Sequence, residues 1–188
     1  MPAADRVRRL LLGSMLGLLG LILPAGCASH HGAKAAVETG PLVLRSAAFA
    51  AAGVIPIDYS CAGSNLAPPL SWHGGAPAGT TSWALVVQDL DVRSQTWLDW
   101  VVVNIPLATR TIESGQLPLG AAVGLASNTV RGYVGLCPPQ GAVHRYRFTI
   151  YAERAPLRLG VNEPAGQELA AITAAAVTNV SLTGRFAR

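Results

Sequence analysis

Residues 135–153, "GLCPPQGAVHRYRFTIYAE", change character halfway along. Pro138 and Pro139 fix the backbone and withhold two N–H groups, while Gly135 and Gly141 flank them, so the first half reads as a stiff turn where backbone can approach a ligand. From His144 onward the side chains alternate. Tyr146, Phe148 and Ile150 fall on one face, and Arg145, Arg147, Thr149 and Tyr151 on the other. A period of two with one apolar face specifies a strand packed on one side and wetter on the other, and such a strand needs partners.

The partners are visible on either side. "SWALVVQDLD" (82–91) is an apolar run ending in carboxylates, as a buried strand does on reaching a surface. "WLDWVVVNIP" (97–106) is a β-branched run stopped by Pro106. "PLVLRSAAF" from Pro41 and "VSLTGRFA" near the end read as strands too. The period changes once, in "EPAGQELAAITAAAVTN" (163–179), where Asn162 is the candidate N-cap, Pro164 stands near the first turn and the body is Ala-rich, so one helix is expected. With 51% hydrophobic residues, 13 prolines and 20 glycines, the chain has material for a core and many turns. Many strands and few helices predict a mainly-β sandwich, occupying residues 41–188 as a single domain without an internal repeat.

The formal charge of +4 suggests nucleic acid until the basic residues are located. Arg6, Arg8 and Arg9 crowd the N-terminus, and without residues 1–26 the chain has 11 basic against 9 acidic groups. Its arginines are then scattered singly, which argues against a surface that tracks phosphates. "RVRRLLLGSMLGLLGLILPAGC" (6–27) has a basic start and an apolar stretch from Leu10 to Leu23. At 14 residues that stretch is shorter than the ~20 a spanning helix needs, so it reads as an export signal over residues 1–26. "LPAGC" resembles a bacterial lipobox, with Pro24 where that pattern prefers leucine. The resemblance implies a lipid on Cys27 that anchors the chain to the outer face of the cell membrane. Residues 27–40, small and polar, read as a tether, with His30 and His31 as solvated tail residues. Assigning Cys27 to a lipid leaves Cys61 and Cys137 as an even pair in an oxidising compartment. A bridge between them would stabilise by ~4 kcal/mol in the loop-entropy picture; the alternative is two free thiols.

Three places put polar groups at strand ends: Asp89 and Asp91, two apart on extended chain; Asp99, between Trp97 and Trp100; and the double-proline turn running into His144. The four tryptophans, Trp72, Trp83, Trp97 and Trp100, read as core. There is no Gly-x-Ser-x-Gly elbow, His-Glu-x-x-His helix, phosphate loop or dinucleotide fingerprint, so a binding protein without cofactor or resident metal is expected rather than an enzyme.

The ordered set "YSCAGSNLAPPLSW", "ALVVQDLD", "WLDWVVVNIP" and "GLCPPQGAVHRYRFTIYA" resembles the bacterial branch of the phosphatidylethanolamine-binding protein family, also called Raf-kinase-inhibitor-like proteins. The resemblance covers the chain from about residue 41 onward. It implies a Greek-key β fold with a few peripheral helices and a small cavity at one end that binds phosphate-like anions in many relatives. Carried over by position, the ligand-binding residues are Asp89, Asp91, Arg93, Asp99, Gly135, Pro138, Pro139, His144 and Tyr146. Where the family usually reads Asp-Pro-Asp-Ala-Pro, this chain keeps both acids and replaces both prolines, Arg93 taking the second place. Where the family usually has a histidine, Asp99 stands. Crowded acids should raise at least one carboxyl pKa and turn the cavity from bare phosphate towards an amine-bearing or zwitterionic head group, with Arg93 available to pair with Asp99 or to meet an anionic head group. A small polar or phospholipid head-group ligand is thus the expected partner, beside the membrane itself. Two alternatives accompany this reading: a protein-interaction or inhibitor module using the cavity rim, and a metal-dependent hydrolase holding its ion on Asp89, Asp91, Asp99 and His144.

Overall fold

The alternating segment at His144 is the strand on which two others assemble. In a computed structural model, which describes residues 39–160 and 163–188, the order is β1 (Val43–Arg45), a 3₁₀ turn (Ile57–Tyr59), β2 (Leu70–His73), β3 (Ser82–Asp89), β4 (Trp97–Pro106), β5 (Thr111–Ile112), β6 (Ala122–Val123), β7 (Val143–Glu153), α1 (Ala165–Ala175) and β8 (Ala176–Ala187). The signal segment, Cys27, the tether through residue 38 and Asn162 lie outside the described residues.

Two sheets form, one ordered β1-β2-β5 and the other β6-β4-β3-β7-β8. After the β3–β4 pair the chain visits the small sheet through β5, returns as β6, and comes back as β7 on the far side of β3. The spatial order β7-β3-β4-β6 is that of a Greek key. The fold is therefore mainly β, as the alternation predicts.

Strand β3 is apolar almost throughout because both of its faces are covered. Leu85 and Val87 pack with Trp72, Trp83, Phe148 and Ile150 between the sheets. Ala84 and Val86, on the opposite face, pack with Leu98, Val101, Val103 and Ile172 of α1. The expected faces of β7 are as the alternation requires: Tyr146, Phe148 and Ile150 are buried, and Arg145 and Arg147 are exposed. Phe49 lies against Phe148, with ring centroids 5.3 Å apart.

The helix ends earlier than its Ala-rich sequence suggests. Strand β8 begins at Ala176, so Val177, Thr178 and Asn179 belong to the sheet. Ala176 pairs with Glu153 and Thr178 with Ala152. The β7 edge thus supplies ladder partners to β-branched residues that lose rotamer freedom in a helix. At the other end of α1 the capping position is Pro164, which makes no side-chain cap hydrogen bond.

Register delivers the site. Asp89, the last residue of β3, lies between Trp97 on β4 and Tyr146 on β7. Residues two apart share a face of a strand, so Asp99 follows Trp97 and His144 precedes Tyr146 at the same end of the sheet.

Candidate functional site

At that end a cavity of about 750 Å³ opens. Its polar lining comprises Asp89, Asp91, Asp99, His144, Asn65 and Asn128, and its apolar lining includes Val92, Trp97, Val134 and Pro139. Gly135 and the two cysteines complete the wall. Of the residues assigned to ligand binding from the sequence, six line the cavity: Asp89, Asp91, Asp99, Gly135, Pro139 and His144. Pro138 and Tyr146 are buried outside the lining. Arg93 is exposed, is not among the lining residues, and makes no ion pair with Asp99 among the described residues. The arginine that pairs with an acid of the cavity is a different one.

That residue is Arg145. Its guanidinium grips Asp91 twice, Nη2 to Oδ1 at 2.7 Å and Nε to Oδ2 at 3.1 Å, and its backbone N–H donates to the same Oδ2 at 2.7 Å. These donors hold the Asp91 carboxyl down at about 2, the side-chain hydrogen bond contributing most. The missing first proline has a use here. The Leu90 N–H, which a proline would lack, donates to the Arg145 carbonyl at 2.9 Å and continues the β3–β7 ladder beyond Asp89.

Asp89 is the inner acid, 5% exposed. Its Oδ2 meets His144 Nδ1 at 2.7 Å, and its Oδ1 accepts the Asp91 N–H at 2.9 Å. One carboxylate thereby fixes the turn as an Asx-turn and orients the imidazole. Tyr146 stands beside this pair with its phenol pushed above the ordinary range, by burial first and then by the charges of Asp89 and Asp99.

Asp99 is the deepest of the acids, 2% exposed. Its Oδ1 accepts the Trp97 indole N–H at 3.1 Å, while Oδ2 has no hydrogen-bond partner. Burial first, and repulsion from Asp89 second, raise its pKa to about 8. The raised carboxyl expected from crowding is this one, with desolvation as the larger cause. A pKa near 8 favours the neutral form of Asp99 at pH 7, so most of the negative charge that its replacement of a histidine suggested is absent there. Trp97, read from the sequence as core, is half-buried on the cavity wall, whereas Trp72, Trp83 and Trp100 are buried.

The double-proline turn is built into the wall from two sides. Val134 N–H donates to the Asp99 carbonyl at 2.8 Å, and Cys61 N–H to the Leu136 carbonyl at 3.3 Å. Cys61 and Cys137 are joined in a disulfide, with Cα atoms 5.4 Å apart. Gly135 lines the cavity, and close approach of the chain behind it also requires a glycine there. A Cβ there would stand 2.6 Å from the Cys61 nitrogen and 2.7 Å from the Ser60 carbonyl carbon. Gly141 serves a turn instead, at φ +80°.

The metal alternative finds no support in this arrangement. Asp91 spends both oxygens on Arg145 and Asp89 spends Oδ2 on His144. Among the described residues no three His, Cys, Asp or Glu side chains converge as metal ligands.

The fold and cavity together define a two-sheet β protein with a polar pit at the strand ends. Comparison with known proteins narrows that class. A family profile described as "Phosphatidylethanolamine-binding protein" matches residues 45–187. The chain is 38% identical over 147 residues to a Mycobacterium tuberculosis protein named "Putative lipoprotein LppC", covering 78% of this chain and 72% of that one. It is 43% identical over 114 residues to a UPF0098 protein of Methanothermobacter thermautotrophicus, covering 58% and 74% of the two chains. The crystal structure of Escherichia coli YbcL, titled a new member of the mammalian PEBP family, superposes with a TM-score of 0.74 at 25% identity, over 79% of this chain and 99% of that one. This chain belongs to the phosphatidylethanolamine-binding protein family.

Proposed function

We propose that the chain is an exported, lipid-anchored binding protein. Residues 1–26 direct export, Cys27 carries the lipid on the outer face of the cell membrane, residues 27–40 form the tether, and the domain from residue 41 takes a small polar or phospho-head-group ligand in its cavity. The observation that carries the reading is the placement of the Asp89–His144 pair and the unpartnered Asp99 Oδ2 around one cavity of about 750 Å³, large enough for a head group. The family description and the lipoprotein name of the mycobacterial relative support it. The polar groups hold and orient each other, and the chain carries none of the common nucleophile or metal-site signatures, which favours binding over turnover.

Calorimetric titration of the purified protein with phosphate, phosphoethanolamine and ethanolamine tests this. Phosphoethanolamine is expected to bind at one site and more tightly than ethanolamine, and the Asp89→Ala, His144→Ala double variant is expected to bind it at least tenfold more weakly. No binding of any of the three compounds would refute the proposal. Mass spectrometry of the mature N-terminus reads the anchor separately, as a diacylglycerol-bearing Cys27.

A further inference from the structure

Asp99 lines the cavity and is 2% exposed, yet only one of its two oxygens is engaged. The indole N–H of Trp97 occupies Oδ1, and Oδ2 is buried without a partner. An acceptor left unpaired in the interior is destabilising, and more so if it is charged. The acid therefore keeps its proton. Since Oδ1 accepts from the indole, the proton belongs on Oδ2, where it is a hydrogen-bond donor with nothing to donate to. Asp89 does not receive it, since no hydrogen bond joins the two carboxyls.

We propose that Asp99 is the residue that selects the ligand: as a neutral acid it donates from Oδ2 to an oxyanion or carbonyl oxygen that the ligand brings to the bottom of the cavity. This rests on the cavity being the ligand site, and it names the chemistry that site requires. A ligand offering only a cation leaves the donor unpaired, whereas a phosphate oxygen satisfies it. Ionisation turns the donor into a second negative charge beside Asp89 and repels the same oxygen. The groups facing Asp99 set the range of this change. Asp89 on β3 adds negative charge and, with burial, places the ionisation at about pH 8. Tyr133 and Tyr146 are both held neutral above the ordinary tyrosine range. Asp91 is neutralised by Arg145, and His144 lies against Asp89.

The test uses glycerophosphocholine, a phosphodiester whose charge is constant from pH 7 to 9.5, with tetramethylammonium as a cation lacking oxygen. The dissociation constant of the phosphodiester is expected to weaken about tenfold between pH 7 and pH 9, since each pH unit above the pKa removes a factor of ten of the protonated form. Asp99→Asn places an amide donor at the same position and does not ionise, so its binding should stay within a few-fold of wild type at pH 7 and be flat with pH. Tetramethylammonium is expected to bind at least tenfold more weakly than the phosphodiester at pH 7. Carbon-13 NMR of the wild-type aspartate carboxyls gives a readout independent of any variant or ligand, with Asp99 protonated at pH 7. An Asp99 ionised at pH 7, phosphodiester affinity that rises with pH, or an Asp99→Asn variant that is folded but does not bind would each overturn the donor role while leaving the cavity as a ligand site. A protonated Asp99 with no phosphodiester or phosphoethanolamine bound at any pH would overturn the cavity reading, and the donor role with it.

Discussion

Asp89 and Asp91 have the same chemistry and opposite surroundings. Asp89 is 5% exposed and holds the His144 imidazole and the Asp91 N–H, so removing its carboxyl leaves a half-buried histidine nitrogen and a turn N–H without their partner. Losing two partly buried hydrogen bonds in this way costs about 2 kcal/mol. Asp91 pairs with an Arg145 side chain that is 63% exposed, and an ion pair in that setting contributes about 1 kcal/mol or less. Asp89→Ala is therefore expected to lower unfolding stability at least twice as much as Asp91→Ala, measured by urea denaturation at pH 7. Equal losses would mean that the inner pair is not the stronger tie. The contrast also separates structure from binding, since Asp91→Ala should leave a folded protein whose cavity can still be titrated.

At the scale of elements, the legible parts were the long ones. Strands β3, β4 and β7 declare themselves because eight or more residues of apolar run or alternation leave no helical reading. Strands β5 and β6, two residues each, are too short to carry a period, and pairing with their neighbours defines them. The α1–β8 boundary was misread because alanine favours helix locally, while the β7 edge supplies the competing hydrogen bonds only in three dimensions. In the site, the acids and His144 were visible at strand ends, since register brings those ends together. Arg145 was visible as a strand residue but not as the partner of Asp91, and Trp97 was visible as an apolar residue but not as a wall. Both depend on which strand ends meet, and no spacing within one strand encodes that. Gly135 lines the cavity, and its close approach to the chain is a second role that its own segment does not encode. Its space is taken by the Ser60–Cys61 backbone, so Gly135→Ala has to push apart two segments that the Cys61–Cys137 bond holds together. A loss of about 2 kcal/mol or more is expected by thermal unfolding, because backbone gives less readily than a side chain end. Unchanged stability would show that this wall is soft. The disulfide should be worth ~2–4 kcal/mol when Cys61→Ala, Cys137→Ala is compared with the oxidised protein.

Across the whole molecule, three buried acids pull stability in one direction. Burial raises Asp99 to about 8 and Glu153 to about 7, and it raises Glu168 as well. Both oxygens of Glu153 and one of Glu168 are buried without partners. An unfolded chain releases these protons near pH 4, while the folded chain keeps those of Glu153 and Asp99 until about pH 7 and pH 8 and holds that of Glu168 above its ordinary range. Between those limits the folded state binds more protons, so stability is full below about pH 4 and is lost as pH rises through 7 to 8. Asp91, lowered to about 2, works the opposite way, with its contribution lost as pH falls towards 2, and its exposed pair keeps that contribution small. The melting temperature should therefore peak near pH 4–5, below the usual optimum, and fall through pH 8. Asp99 lies by the Asp89 end of the sheet, whereas Glu153 pairs with Ser82 at the other end of β3, roughly 24 Å away at 3.4 Å per residue, so their effects should add. Each is expected to contribute at least about 1 kcal/mol, or roughly 2–4 °C in a domain of this size. Calorimetry of Asp99→Asn, Glu153→Gln, Glu168→Gln against wild type from pH 4 to pH 9 isolates the cause, because amides keep the shape and do not titrate. The variant should melt higher at pH 8 and show a flatter profile. A wild-type maximum at pH 7–8, or a variant that keeps the full alkaline slope, would show that these carboxyls are already ionised in the folded protein.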